Sequence, residues 1–307
     1  MILISISFSG CLDENQISKT IYVNINGGAD FIKIQDAINH SIDGFKIIVK
    51  NGIYNEKLII NKSIELFGEG PDTTIIKYEN NNITDSDAVI FINADNCTIN
   101  GFKITCTKKS FDIIGIEINS SNNNILDNVI SSFYKDIYLE SYSINNIIYS
   151  NIISNASFGI DAYNSHKNNI SKNNIFSCIT YGIYAFGSDY NIFSNNIFSD
   201  NQYGIRIKGS EYNEVFENNV YNNTYGMLFC CGARDNIIYL NVFKHNSIYN
   251  ARDDVLNQWD NGSFGNIWDD YEEKYPDAIN INGIWNIPYN ITGDKVVDRY
   301  PLVNEDI

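Results

Sequence analysis

Short runs of Ile, Val, Tyr and Phe, three to five residues long and broken by Asn, Ser and Gly, follow one another through most of this chain. Such runs read as strands. They also recur at a fixed interval. Asn128, Asn151, Asn174, Asn196, Asn219 and Asn241 each stand between apolar residues, 23, 23, 22, 23 and 22 positions apart. A second column, Phe158-Gly159-Ile160, Tyr181-Gly182-Ile183, Tyr203-Gly204-Ile205 and Tyr225-Gly226-Met227, repeats at 23, 22 and 22. Two columns of different residue types sharing one period define an internal repeat. The period is too short for two packed helices, and the Leu-rich consensus of leucine-rich repeats is absent. It suits one coil of an all-β parallel β-helix, in which each coil adds a strand to each face at about 4.8 Å per step.

Asn at a tight turn tolerates left-handed backbone angles, and stacked Asn amides can bond to the turns above and below. The six Asn are therefore expected to form a structural ladder, and the Phe158, Tyr181, Tyr203, Tyr225 column an aromatic stack. A solenoid needs capped ends. Residues 31–38 carry Phe31, Ile34, Ala37 and Ile38 at helical spacing, with Asp30 as N-cap and Gly44 soon after, which predicts an N-terminal capping helix. The period fades near residue 250, and Trp259, Trp268 and Trp285 all follow, as in an irregular C-terminal cap. The organisation expected is a partial signal and tether in 1–20, a cap with its helix in 21–44, roughly nine coils in 45–255, and a second cap in 256–307.

Three segments carry a family resemblance: Ile34-Gln35-Asp36-Ala37-Ile38, then Ile47-Ile48-Val49-Lys50-Asn51-Gly52-Ile53-Tyr54-Asn55-Glu56, then Ile59-Ile60-Asn61-Lys62-Ser63-Ile64-Glu65-Leu66-Phe67-Gly68. They resemble the opening of right-handed parallel β-helix proteins of the NosD type. Gly265-Asn266-Ile267-Trp268-Asp269-Asp270-Tyr271, with Ile287-Pro288-Tyr289 and Asp298-Arg299-Tyr300-Pro301-Leu302, resembles the C-terminal segment of archaeal members. The resemblance spans residues 31–302 and implies a single-stranded right-handed helix of coils. For activity it leaves polysaccharide-active enzymes, surface components and metal-site maturation factors open.

Charge narrows the partners. With 21 basic and 37 acidic side chains the formal balance is −16, the opposite of what a nucleic-acid binder needs. The apolar first nine residues and Phe8-Ser9-Gly10-Cys11 resemble the cleavage box of a secreted lipoprotein, with Cys11 lipidated, although no basic segment precedes them. An extracellular or cell-surface location follows, with the membrane reached only through that anchor. Cys97, Cys106, Cys178, Cys230 and Cys231 are an odd number without metal-ligand spacing, so they are read as small buried side chains.

Strand alternation assigns the chemistry to one face. With Ile160 and Ala162 inward, one outward column holds Glu117, Tyr138, Asp161, Tyr184, Arg206 and Leu228; the next holds Asn119, Glu140, Tyr163, Phe186, Lys208 and Cys230. Rings pack on pyranose faces, carboxylates accept hydroxyl hydrogen bonds, and Arg or Lys pairs with uronates. The leading expectation is a polysaccharide or glycan ligand held by Glu117, Tyr138, Asp161, Tyr163, Tyr184, Phe186, Arg206 and Lys208. The overall negative charge favours neutral glycans, except locally at Arg206 and Lys208. The alternatives are a structural surface protein without specific ligand, and a lyase or hydrolase. For the latter, Glu140 and Asp161 on adjacent coils would be the paired carboxylates, with Arg206 and Lys208 beside them. Gly204-Ile205-Arg206-Ile207-Lys208-Gly209 does resemble the Arg-Ile-Lys element of polygalacturonases, but Asp161-Ala162-Tyr163 and Tyr184-Ala185-Phe186 stand where that family has its aspartate and histidine motifs. Copper-site maturation is disfavoured, because His40, His166 and His245 are scattered and Met is limited to two. No resident cofactor is expected; Asp269, Asp270, Asp277, Asp294 and Asp298 are oxygen donors available to Ca²⁺ at the C-terminal cap.

Overall fold

The computed structural model describes residues 20–79, 88–107 and 113–304. The tether expected in 1–20, Cys11 included, lies outside them except for Thr20. Three parallel sheets of ten strands each wind around one core. The first runs from Thr20–Val23 to Ile237–Tyr239, the second from Leu58–Ile60 to Thr292–Gly293, and the third from Gly52–Tyr54 to Ile267–Trp268. This is the expected parallel β-helix, with about ten turns rather than nine. Nine first-sheet strands, Lys46–Val49 to Ile237–Tyr239, lie in the coils expected over 45–255; the tenth, Thr20–Val23, lies in the segment expected to be tether and cap.

The core is a stack of aliphatic side chains delivered once per strand, such as Ile116, Ile137, Ile160, Ile183 and Ile205, all fully buried. At the second-sheet corner the coils approach so closely that a Cβ on Gly159, Gly182 or Gly204 would lie 2.6 to 2.7 Å from the carbonyl oxygen of the next coil. Only glycine fits there.

The amide ladder exists, but one position away from the expected residue in two coils. It runs Asn128, Asn151, Asn173, Asn196, Asn218, Asn241 and Asn266, each amide oxygen accepting from the backbone N–H of the Asn before it. Asn174 and Asn219 instead open the strands Asn174–Phe176 and Asn219–Tyr221, outside the ladder. The left-handed residue is also not the ladder Asn but the one preceding it: Asp127, Ser150, Lys172, Asn195, Glu217 and Leu240 have φ of 51 to 59°. These strained turns cost about 1 kcal/mol each, and the buried amides that follow hold them in place. A second ladder, Asn123 to Asn257 through Asn146, Asn168, Asn191, Asn213 and Asn236, runs along another corner. A third joins Asn201, Asn223 and Asn246.

The N-terminal helix spans Ile34–His40, with Ile34, Ala37 and Ile38 buried. Its start is not capped by Asp30, whose carboxylate accepts from Tyr22 N at 2.9 Å. Phe31 bridges to Val23 instead of entering the helix. The free N–H groups of Ile34 and Gln35 donate to Glu56 at 2.9 and 3.0 Å, so the helix N-terminus is closed by a carboxylate from a later coil. At the other end, Trp268 stacks between Phe243 and Tyr289 at 4.4 and 4.1 Å. Asp298 beneath it is fully buried and accepts from Asn266 N, Trp268 Nε1 and Tyr300 N.

Replacing Asn173 by Ala strips acceptors from Asn151 N and Nδ2 and a donor from Ile148 O. It should lower stability by about 3 kcal/mol in a denaturant titration, whereas Asn174→Ala should change it by less than about 0.5 kcal/mol. Equal effects would contradict the ladder register. Burial, opposed by those N–H donors, pushes the Asp298 carboxyl up to about 7. The folded chain therefore holds this proton after the unfolded chain has lost it. The contribution to stability should fall as pH rises from about 4 through about 7 and then level off. Denaturant midpoints of Asp298→Asn should vary less over that window than those of the parent chain.

Candidate ligand-binding face

The second sheet places the expected outward column in strict register: Glu117, Tyr138, Asp161, Tyr184, Arg206 and Leu228 are successive Cα partners. Tyr163, Phe186, Lys208 and Cys230 form the parallel column two positions on. Flanking both is the aromatic stack, Tyr134, Phe158, Tyr181, Tyr203, Tyr225 and Tyr249, with centroids 4.5 to 5.4 Å apart. It is continuous with the candidate face, since Tyr184 stacks on Tyr181 at 4.9 Å and beside Phe186 at 6.4 Å. Tyr163 packs on Phe186 at 5.5 Å and remains 39% exposed.

The electrostatics divide the face into two ends. At the first, Asp161 points outward yet is 5% exposed, because Lys135 lies over it with Nζ 2.6 Å from Oδ2. The same ammonium sits 3.7 Å from the Tyr138 ring centroid. Burial raises the Asp161 carboxyl while Lys135 pulls it down. Its Oδ1 is buried without a partner. Asp161 is thus a packed, paired carboxylate and not the free partner of Glu140 that a hydrolase would need. Glu140 stands just past the strand Lys135–Leu139, and the acid it acts on is Glu117, whose carboxyl is raised by burial and then by the Glu140 charge. Sequence alternation separates outward from inward but does not reveal a lid such as Lys135. Its signal was available one column over, where Lys135 is the register partner of Phe158.

At the second end, Arg206 donates from Nη1 to the Tyr181 hydroxyl at 2.5 Å and has Cys230 Sγ 3.8 Å from Nη2. Lys208 lies over Phe186, 5.0 Å from its centroid. Tyr181 and Tyr203, expected only in the aromatic stack, therefore join the site, together with Cys230, which the sequence placed both in the second outward column and among the buried thiols. Cys230 is buried as expected, but Cys231 is exposed, its left-handed turn at φ 59° carrying it off the strand end.

Of the acidic residues considered for Ca²⁺, Asp269 accepts from His245 N and Asn250 Nδ2, and Asp270 pairs with Lys274 at 2.7 Å. Asp298 is occupied as described. Among the described residues no three His, Cys, Asp or Glu side chains are grouped to hold a metal.

Stacked coils with one ring-lined, charged sheet face define a β-helix protein of the kind that presents an extended surface along its axis. Residues 38–273 match NosD, described as periplasmic copper-binding protein, and the chain belongs to that family. Over 134 residues it is 32% identical to the cell surface glycoprotein of Methanothermus fervidus, an alignment covering 43% of this chain and 21% of that protein. The chain thus spans about a fifth of that relative's length. Among solved structures, tailspike protein 2 from Escherichia coli O157:H7 bacteriophage CAB120 superposes with a TM-score of 0.60 at 12% identity, covering 73% of this chain and 36% of that one. Pectate lyase Pel9A superposes with a TM-score of 0.55 at 13% identity over 80% of this chain and 81% of its own. Both are likenesses of fold.

The family description raises copper, for which His, Met and Cys clusters are the usual donors. Among the described residues the His and Met donors do not fit, and the Cys230–Cys231 thiol pair, 3.3 Å apart, has no third donor grouped with it. His40 packs on Phe31 at 5.3 Å, His166 accepts from Asp189 N at 3.0 Å, and His245 lies beside Asp269, each on a different coil. Met227 is fully buried in the core.

Lys135→Met leaves Asp161 buried without its cation and should cost about 3 kcal/mol. Adding Asp161→Asn should restore most of the loss, as read from denaturant midpoints; no recovery would contradict the pairing.

Proposed function

We propose that this chain binds a glycan or cell-envelope polysaccharide along the outward face of the second sheet, at the cell surface. The observation that carries the reading is the register. Tyr163, Tyr184 and Phe186 present rings on adjacent coils, bordered by half-buried Glu117 and Tyr138 on one side and by Arg206 and Lys208 on the other. A row of flat apolar faces with polar groups at its edges matches a chain of pyranose rings, whose axial hydrogens are apolar and whose rims carry hydroxyls. Coil spacing of about 4.8 Å keeps that row straight over many steps.

The surface location is supported by the name of the M. fervidus relative, and by the lipoprotein-like Cys11 segment read from sequence. No helix among the described residues is long and apolar enough to cross a membrane. Catalysis by Glu140 and Asp161 is the less favoured reading, because Lys135 occupies Asp161.

Retention on a glycan array tests the proposal. The parent chain should be retained by at least one polysaccharide class, and Tyr163→Ala and Tyr184→Ala should each weaken that retention about tenfold, the loss expected for one ring contact. Retention indifferent to both changes, or no retention on any glycan, would sink the platform.

A further inference from the structure

We infer that the glycan carries an acidic unit, a carboxylate or a sulfate ester, seated at Arg206 and Lys208. The inference rests on the glycan reading above and adds the charge and the position of one unit. The arginines are unequally partnered. The chain has four, and three are held by carboxylates: Arg234 by Glu211 at 2.8 Å, Arg252 by Asp254 at 2.9 Å, and Arg299 by Asp260 at 2.5 Å. Arg206 is held by neutral groups. Its guanidinium carbon lies 5.5 to 5.9 Å from the centroids of Tyr181, Tyr184 and Tyr203. Its hydrogen-bond contacts are the Tyr181 hydroxyl and Cys230 Sγ, and its Nε is buried without any partner. The register partners on the neighbouring coils are Tyr184 and Leu228, so no carboxylate faces it along the column.

Lys208 repeats the pattern two positions along the same strand. Phe186 and Cys230 flank it, and its ammonium rests over the Phe186 ring. Two cations therefore stand on one side of one strand with rings and a thiol as neighbours. In a chain of net charge −16, Arg206 is the one arginine of four without a carboxylate partner, which calls for a cause. A bound anion supplies one. The guanidinium fork matches a carboxylate or sulfate through parallel hydrogen bonds, and the tyrosines hold it flat, so little side-chain freedom is left to lose on binding.

The overall negative charge does not oppose this. Charges are screened beyond about 8 Å at physiological salt. Glu117 lies four coil steps from Arg206 in the register, about 19 Å, and Glu140 about three steps, or about 14 Å. Asp161, two steps away, is neutralised by Lys135. The same spacing gives the face a polarity, with an acid end that accepts hydroxyls and a cationic end that takes the anion.

Calorimetric titration of the full chain with three oligosaccharides of equal length, one neutral, one uronic and one sulfated, tests the inference. One of the two acidic ligands should bind about tenfold or more tightly than the neutral one, the ratio a charge-assisted hydrogen bond supports. Which acidic ligand it is identifies the group. The ratio should shrink as salt rises and fall to about one in Arg206→Gln. If that variant fails to fold, Lys208→Gln, near the strand end, should still narrow the ratio. Equal binding of neutral and acidic ligands, or a preference untouched by these substitutions, overturns the acidic unit and leaves the glycan reading standing. Failure of all three ligands to bind overturns both.

Discussion

Everything in this molecule depends on stacking one turn of backbone on the next at the spacing of hydrogen-bonded strands, and on the buried asparagine amides that hold the corners at that spacing. A corner leaves backbone groups that no strand partner satisfies. The carboxamide answers with one acceptor and two donors in a single short side chain. Asn151 illustrates the economy: its oxygen serves Asn128 of the preceding coil, while its nitrogen reaches Ile125 O, Tyr149 O and Asn173 Oδ1. With the coils from Asn123 to Asn266 locked in this way, side chains on each sheet face fall into columns. A face that is sticky, charged or flat on one coil is then extended over several.

That logic explains which parts were legible in sequence. Periodicity is a property of the chain itself, so the coil fold and the composition of the outward columns could be read from spacing alone. Choosing between Asn173 and Asn174 could not, because both sit in the same polar pair before the same apolar residues. What separates them is the position of Asn151 and Asn196 on the neighbouring coils. Asp161 is a similar case. Alternation correctly turned it outward, but its burial is decided by the long side chain of Lys135, one coil earlier and in a different column. Glu56 closing the helix at Ile34 and Gln35 is a contact between coils that no local cap rule contains.

The face that results is asymmetric in a way its composition did not announce. Glu117, Glu140 and the Lys135–Asp161 pair gather at one end. Arg206 and Lys208 stand at the other among Tyr181, Tyr184, Tyr203 and Phe186. The members that sequence alone left out of the candidate face, Lys135, Tyr181 and Tyr203, were assigned structural work or none. In a solenoid the two kinds of work overlap, since a ring stacked to hold one coil on the next also forms the wall of the neighbouring column.

The most direct test is a crystal structure of the chain with an acidic oligosaccharide bound. Sugar density should lie along the coil axis over Tyr184 and Phe186, with an anionic group within hydrogen-bond reach of the Arg206 guanidinium. Density on a different face, or a sugar on this face whose acidic groups all point away from Arg206 and Lys208, would contradict that placement.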